Sequence, residues 1–150
     1  MFNRSISFIF FGTLLFLTII NSYEICGPRS CKANSFCISD KTAALCRPID
    51  QAATLIEYNI TADGVWTTSS QYSGSVKNLC NVKVRKVVFH ADLKLIKPNS
   101  IWNAKYNPER NEIEVPDFAD GLKVDAESYT FGFVLASTDT PEIKIKSIRF

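Results

Sequence analysis

Along the second half of the chain the apolar residues fall on alternate positions. In Thr54 to Ala62, Ile56, Tyr58 and Ile60 point one way and Glu57, Asn59 and Thr61 the other, the period of a strand with one buried and one wet face. Val87, Phe89, Ala91, Leu93 and Leu95 share one face of a second long strand, while Val82 and Val84 have the opposite parity. That switch predicts a bulge or a break near Arg85-Lys86. Tyr129, Phe131, Phe133 and Leu135 make a third strand, with Gly132 on its other face where a neighbouring backbone can come close. Ile143 and Ile145 open a fourth. Lys97-Pro98-Asn99 and Val115-Pro116 punctuate the intervals, and no segment keeps a helical apolar period for long. The pattern predicts an all-β fold, an antiparallel β-sandwich.

The start of the chain has a different character. Arg4 is followed by Ile6 to Ile20, apolar apart from Ser7, Gly12, Thr13 and Thr18, and then by the small residue Ser22. This predicts a secretory signal peptide over residues 1–22, because the run is too short for a spanning helix and has no stop-transfer flank. The expected product is secreted and extracellular, with no membrane association after cleavage. What remains suffices for one domain with a core plus a small appendage. The net charge is only +2 and its basic residues are scattered, which argues against a nucleic-acid partner.

The chain has five cysteines, and Cys26, Cys31, Cys37 and Cys46 crowd into a stretch with little apolar content of its own. In an oxidising compartment two disulfides would replace the missing core. A zinc site is disfavoured, since only Cys26 and Cys31 stand as close as zinc ligand pairs do and His90 is far away. Sequence alone leaves three connectivities open. Cys80 is left over, open to an interchain bridge, a reactive thiol or burial, and its neighbours Leu79 and Val82 favour burial. The stretch CGPRSCKANSFCISDKTAALCRP resembles the follistatin-type, EGF-like cysteine hairpin, although Lys32-Ala33-Asn34 stands where a Pro-x-Gly turn is usual. The resemblance implies the pairs Cys26–Cys37 and Cys31–Cys46, in a module over residues 23–48 that acts as a spacer or contacts matrix proteins. Pro48 breaks the chain, so Arg47 to Ala52 reads as the boundary with a sandwich over residues 49–150.

Three rings carry the functional reading. Trp66, Tyr72 and Trp102 on a rigid β scaffold suit stacking against the apolar faces of sugar units. Trp66 stands between Asp63-Gly64 and Thr67-Thr68-Ser69-Ser70, a polar strip that favours exposure, and Tyr72 is read the same way. Trp102 follows Ile101 in a turn rich in Asn and Ser, where burial and binding both remain open. Tyr106 and Phe118 are further ring candidates, and Gln71, Thr67 and Asn103 are polar candidates for sugar hydroxyls. Asn59-Ile60-Thr61 is an N-glycosylation acceptor that the alternation places on the wet side.

Residues from about Ile56 to Ile148 resemble carbohydrate-binding module family 49. This is a small cellulose-binding sandwich appended to some plant family 9 endoglucanases and found in extracellular proteins of cellulose-producing amoebae. The landmarks run in order: Trp66, Tyr72, Asn78, Leu93, Ser100-Ile101-Trp102-Asn103, Val115-Pro116-Asp117-Phe118, Gly121-Leu122 and Phe131-Gly132-Phe133-Val134. The resemblance implies a β-1,4-glucan ligand held by the residues at 66, 72 and 102. Phe118 stands where the family usually has Trp, and Asn103 where it usually has Gly.

Catalysis is not expected. His90 lacks a paired nucleophile and orienting acid. Glu112, Glu114, Asp117 and Asp120 are dense enough for a glycosidase pair, but a small sandwich has little room for the required cleft, and the run reads as a solvated loop. No catalytic residue, cofactor or metal is assigned. The sequence therefore predicts a secreted, non-catalytic protein that binds cellulose or a related β-glucan in a cell wall, spore coat or extracellular matrix. The alternative is a matrix component working through protein–protein contacts, with the sandwich as scaffold.

Overall fold

The computed structural model describes residues 24–118 and 120–150. The signal-peptide segment, residues 1–22, lies outside the described residues. Twelve strands and one short 3-10 helix follow one another: β1 (Glu24–Cys26), β2 (Arg29–Cys31), β3 (Ser35–Ser39), β4 (Ala44–Pro48), the helix (Ile49–Thr54), β5 (Ile56–Val65), β6 (Ser70–Asn78), β7 (Lys86–His90), β8 (Ile101–Trp102), β9 (Lys105–Asn107), β10 (Glu112–Val115), β11 (Tyr129–Leu135) and β12 (Lys144–Arg149). They form a six-stranded sheet in the order β4-β3-β12-β7-β10-β9, a four-stranded sheet in the order β5-β6-β11-β8, and the β1-β2 hairpin.

The two larger sheets face each other across one core, as the alternation requires. From the six-stranded sheet Val87, Phe89, Ile113, Val115, Ile145 and Ile148 point inward. From the other come Ile56, Tyr72, Val76, Phe131, Phe133 and Leu135. The expected break at Arg85-Lys86 is present, because β7 starts at Lys86 and Val84 makes only an isolated bridge to Leu122. A bulge between Ile145 and Ser147 resets the parity of β12, so that Ile145 and Ile148 both reach the core. The long second strand ends early, at His90. Ala91 and Leu93 stay buried while the chain crosses between the sheets, and Leu95 bridges Leu135 of the opposite sheet.

The cysteine segment is disulfide-bonded in the pattern its resemblance implies, Cys26–Cys37 and Cys31–Cys46. It shares the sandwich's sheet and core. β3 runs parallel to β12, Ser147 opposite Cys37 and Arg149 opposite Ser39, the exception to an otherwise antiparallel architecture. Phe36 points inward and is fully buried in the common core. Cys37 and Cys46 face each other across β3-β4 on the outer side, so both bridges fasten the β1-β2 hairpin there. The stretch after Pro48 coils into the 3-10 helix, whose Ala52 is buried in the same core.

Candidate functional site

The outer face of the four-stranded sheet is set by register. Thr61, Ser73, Gly132 and Trp102 stand in one row across β5, β6, β11 and β8. The neighbouring row is Gly64, Gln71 and Val134, and on the other side comes Asn59, Ser75 and Thr130. Apart from Val134 and Trp102 these residues are small or polar, so the face is shallow, and two rings lie on it. A methyl group added to Gly132 would meet Trp102 Cζ2 at 2.1 Å, and one added to Gly64 would meet Trp66 Cη2 at 2.9 Å. Each indole therefore covers a glycine that leaves room for it. Trp66 is 55% exposed and Trp102 is 41% exposed. From Gly64 to Gly132 is two strand spacings and two residues, roughly 12 Å at ordinary sheet dimensions.

Between the rings the polar groups are organised by Asp63. A bulge between Ala62 and Gly64 displaces it from the regular register. Its Oδ2 accepts from Ser73 Oγ at 2.5 Å and from Gln71 Nε2 at 3.2 Å. The acceptor-only carboxylate holds both donors in place and keeps lone pairs for further hydroxyls. Flanking rings and a fixed polar centre can stack on the C–H faces of a flat ligand and hydrogen-bond its hydroxyls. Asp63, Ser73 and Gly64 were not assigned to the site from sequence, and Gly132, read as a place where a neighbouring backbone comes close, is met instead by the Trp102 ring. The available signal was local for one ring alone, Gly64 standing two residues before Trp66, whereas Gly132 and Trp102 are brought together by strand pairing.

Of the residues expected at the site, Trp66, Trp102 and Gln71 come to this face. Thr67 is exposed next to Trp66 in the turn closed by Trp66 N donating to Ser69 O at 2.8 Å. Asn103 adopts φ 56° and donates to Thr130 O at 3.1 Å, so its amide is already engaged; its left-handed backbone explains why glycine suits the position. Tyr72 is different: it is only 4% exposed, its ring stacks on Phe133 at 5.5 Å, and its hydroxyl donates to Asp139 O at 3.4 Å. The reason is parity, since Tyr72 pairs with inward-facing Phe133. Its ring belongs to the core and is not offered to a ligand.

The two weaker rings also lie elsewhere. Tyr106 belongs to the six-stranded sheet, where its hydroxyl accepts from Leu93 N at 3.0 Å and donates to Asn111 Oδ1 at 3.4 Å, pinning the crossing segment. Phe118 is 43% exposed but packs edge-on against Tyr129 at 5.4 Å. The Tyr129 hydroxyl lies 2.9 Å from both Asn103 O and Asp117 Oδ1. Its phenol is pushed up to about 12, first by burial and then by the hydrogen bond to Asp117 and that carboxylate's charge.

Only half of the acidic run is a loop, since Asp117 and Asp120 lie in the turn region after β10 and Asp120 is exposed. Glu112 and Glu114 lie on β10 and point out of the six-stranded sheet, away from the tryptophans, where Glu112 pairs with Lys146 at 3.0 Å and Glu114 with Arg149 at 3.5 Å. Asp120 pairs with Lys83 at 3.2 Å. His90 is exposed on the same outer side. Cys80 is in no disulfide and packs partly buried against the core, its Sγ donating to Leu55 O at 3.4 Å, and burial pushes its thiol up. The neighbours expected to bury it, Leu79 and Val82, are themselves exposed. Asn59 is exposed on the outer face of β5.

The sequence profile of the carbohydrate binding domain CBM49 matches residues 56–137. The chain belongs to the CBM49 family. The matched stretch of this CBM49 protein runs from the start of β5 to just past β11, and so contains both tryptophans and their glycine seats. Two curated proteins of Dictyostelium discoideum resemble it along most of their length. Stalk-specific protein A is 26% identical and stalk-specific protein B 25% identical, each alignment covering 92% of both chains. Among solved structures it is similar to the chitin-binding domain of Chi18aC from Streptomyces coelicolor, at 20% identity and a TM-score of 0.49, covering 63% of this chain and 93% of that one. No helix among the described residues is long and apolar enough to cross a membrane.

Proposed function

We propose that this CBM49 protein is secreted and, without catalysis of its own, holds cellulose or a related β-1,4-glucan in a cell wall, spore coat or extracellular matrix. The observation that carries the reading is the pair of indoles, each laid over a glycine on one shallow sheet face. Flat rings bound to a flat polymer bury area that water solvates poorly, and the Asp63-Gln71-Ser73 centre supplies hydroxyl contacts. The apolar run and small residue in residues 1–22 support secretion, as do two disulfides in the following segment. Similarity to two proteins named as stalk-specific supports a structural setting.

The test is co-sedimentation with microcrystalline cellulose, chitin and insoluble β-1,3-glucan. Binding to cellulose that persists at high salt is expected, because stacking is not screened as ion pairs are. Trp66→Ala should weaken it by ~1–3 kcal/mol, roughly tenfold or more, with little change in melting temperature. A protein that, with or without its glycans, stays in the supernatant with all three polymers and binds no soluble cello-oligosaccharide refutes the proposal.

A further inference from the structure

The glycosylation acceptor and the tryptophans occupy the same side of the same sheet. Asn59 is opposite Ser75, and Ser75 opposite Thr130, one row from Thr61, Ser73, Gly132 and Trp102. Two residues along β5 place Asn59 roughly 7 Å from the Trp102 row. β5 is an edge of its sheet, so nothing in that sheet crowds the side chain from beyond, and Asn59 is exposed. The line from Trp66 to Trp102 starts at the β5 edge on the far side of Thr61 and ends at the β8 edge. It does not pass over Asn59.

These placements have opposite effects on two forms of one polymer. A single glucan chain can lie along the diagonal from one indole to the other without meeting Asn59. A crystalline surface must approach the whole face flush, and a bulky hydrophilic group standing beside the rings would hold it off. We infer that Asn59 carries an N-linked glycan that selects single glucan chains over flat crystalline surfaces on this face. In its attachment the Asn59 Nδ2 forms a bond to C1 of an oligosaccharide carried on a lipid diphosphate. The C1–O bond breaks, the lipid diphosphate leaves with the electron pair, and the amide gives up one proton. Thr61 supplies the hydroxyl that completes the acceptor triplet.

The inference rests on the glucan-binding reading, and its test separates the two. The full chain is secreted from a glycosylating host, and its binding to microcrystalline cellulose and to a soluble cello-oligosaccharide is compared with that of Asn59→Gln and of the native protein after enzymatic glycan removal. Peptide mapping should find Asn59 occupied. Each deglycosylated form should bind microcrystalline cellulose several-fold more tightly, with unchanged affinity for the soluble chain. An unmodified Asn59 peptide overturns the inference, as does equal binding of glycosylated and deglycosylated protein to the crystalline form. If no form binds either glucan, the functional reading itself fails and the inference falls with it.

Discussion

Gly132→Ala removes no aromatic group, no charge and no hydrogen bond, yet it should impair glucan binding. The added methyl would stand 2.1 Å from Trp102 Cζ2 and 2.5 Å from Cε2. To regain an ordinary carbon–carbon contact of about 3.5 Å the indole must withdraw by about 1.4 Å. Trp102 is 41% exposed, so the ring has solvent to move into and the backbone need not yield. Once lifted, the ring is no longer held in its binding pose. Re-immobilising it costs about 0.5–1.5 kcal/mol on ligand binding, and a lost stack costs up to ~3 kcal/mol. The expected loss is therefore roughly tenfold in affinity. Stability should change little, because the gain from replacing a strand glycine offsets the lost ring contact. Gly64→Ala, whose methyl would lie 2.9 Å from Trp66 Cη2, should have a smaller effect. The assay is a depletion isotherm on insoluble cellulose, read beside indole fluorescence, which reports only the chain's two tryptophans. A Gly132→Ala protein that binds as the parent does, with an altered indole spectrum, would refute the seated-ring argument.

Tyr72→Ala should destabilise the fold by about 3–5 kcal/mol, the range for deleting a large buried ring. Tyr72→Phe, which loses only the bond to Asp139 O, should cost under ~1 kcal/mol and leave glucan binding intact; loss of binding in Tyr72→Phe with an unchanged melting temperature would return Tyr72 to the ligand face. Tyr129, with its phenol raised to about 12, keeps its proton in the folded chain above the ordinary tyrosine value of about 10. Stability should accordingly fall as pH rises from about 10 toward 12, and Tyr129→Phe should flatten that decline in a series of alkaline thermal melts. Thiol counting under denaturing, non-reducing conditions should find one group per chain, Cys80. In the native protein that thiol should alkylate slowly, since burial raises its pKa; a count of zero in a monomer would contradict the pairing.

Strands whose inward residues are bulky were visible in the alternation, as β7 and β11 show. β6 was not, although it alternates perfectly between buried and half-buried positions from Ser70 to Asn78. Its inward residues are largely polar or small, and what satisfies them comes mostly from segments distant in sequence. Ser70 Oγ donates to Ser137 O at 2.7 Å, Asn78 Nδ2 donates to Val82 O at 2.9 Å and faces Leu122 O at 3.2 Å, and Gly74 makes room for the Phe131 ring. Missing that strand is what put Tyr72 among the exposed rings, since its parity with Val76 puts it inside. The exposure of Trp66 was legible from local polarity, whereas Trp102 stood open between burial and exposure. The seating of Trp102 on Gly132 was not legible, because the two meet only through the pairing of β11 with β8. Glu112 and Glu114 looked like part of a loop because their cations, Lys146 and Arg149, come from the last strand.

The parallel pairing of β3 with β12 gives the molecule a particular mechanical character. Tension applied before Cys26 and after Phe150 does not travel through the length of the chain. It crosses the Cys26–Cys37 bridge directly to β3, enters at the residue opposite Ser147, and leaves through the end of β12. Because those strands run the same way, the pull slides them past each other and loads their hydrogen bonds together, with Phe150 N bonded to Ser39 O at 2.8 Å as the last rung. β4 and β7 flank the loaded pair and share its pull, but the tryptophan face belongs to the other sheet and lies off the load path. A polymer held on that face keeps its binding surface undistorted until the short clamp between the first and last modules has sheared.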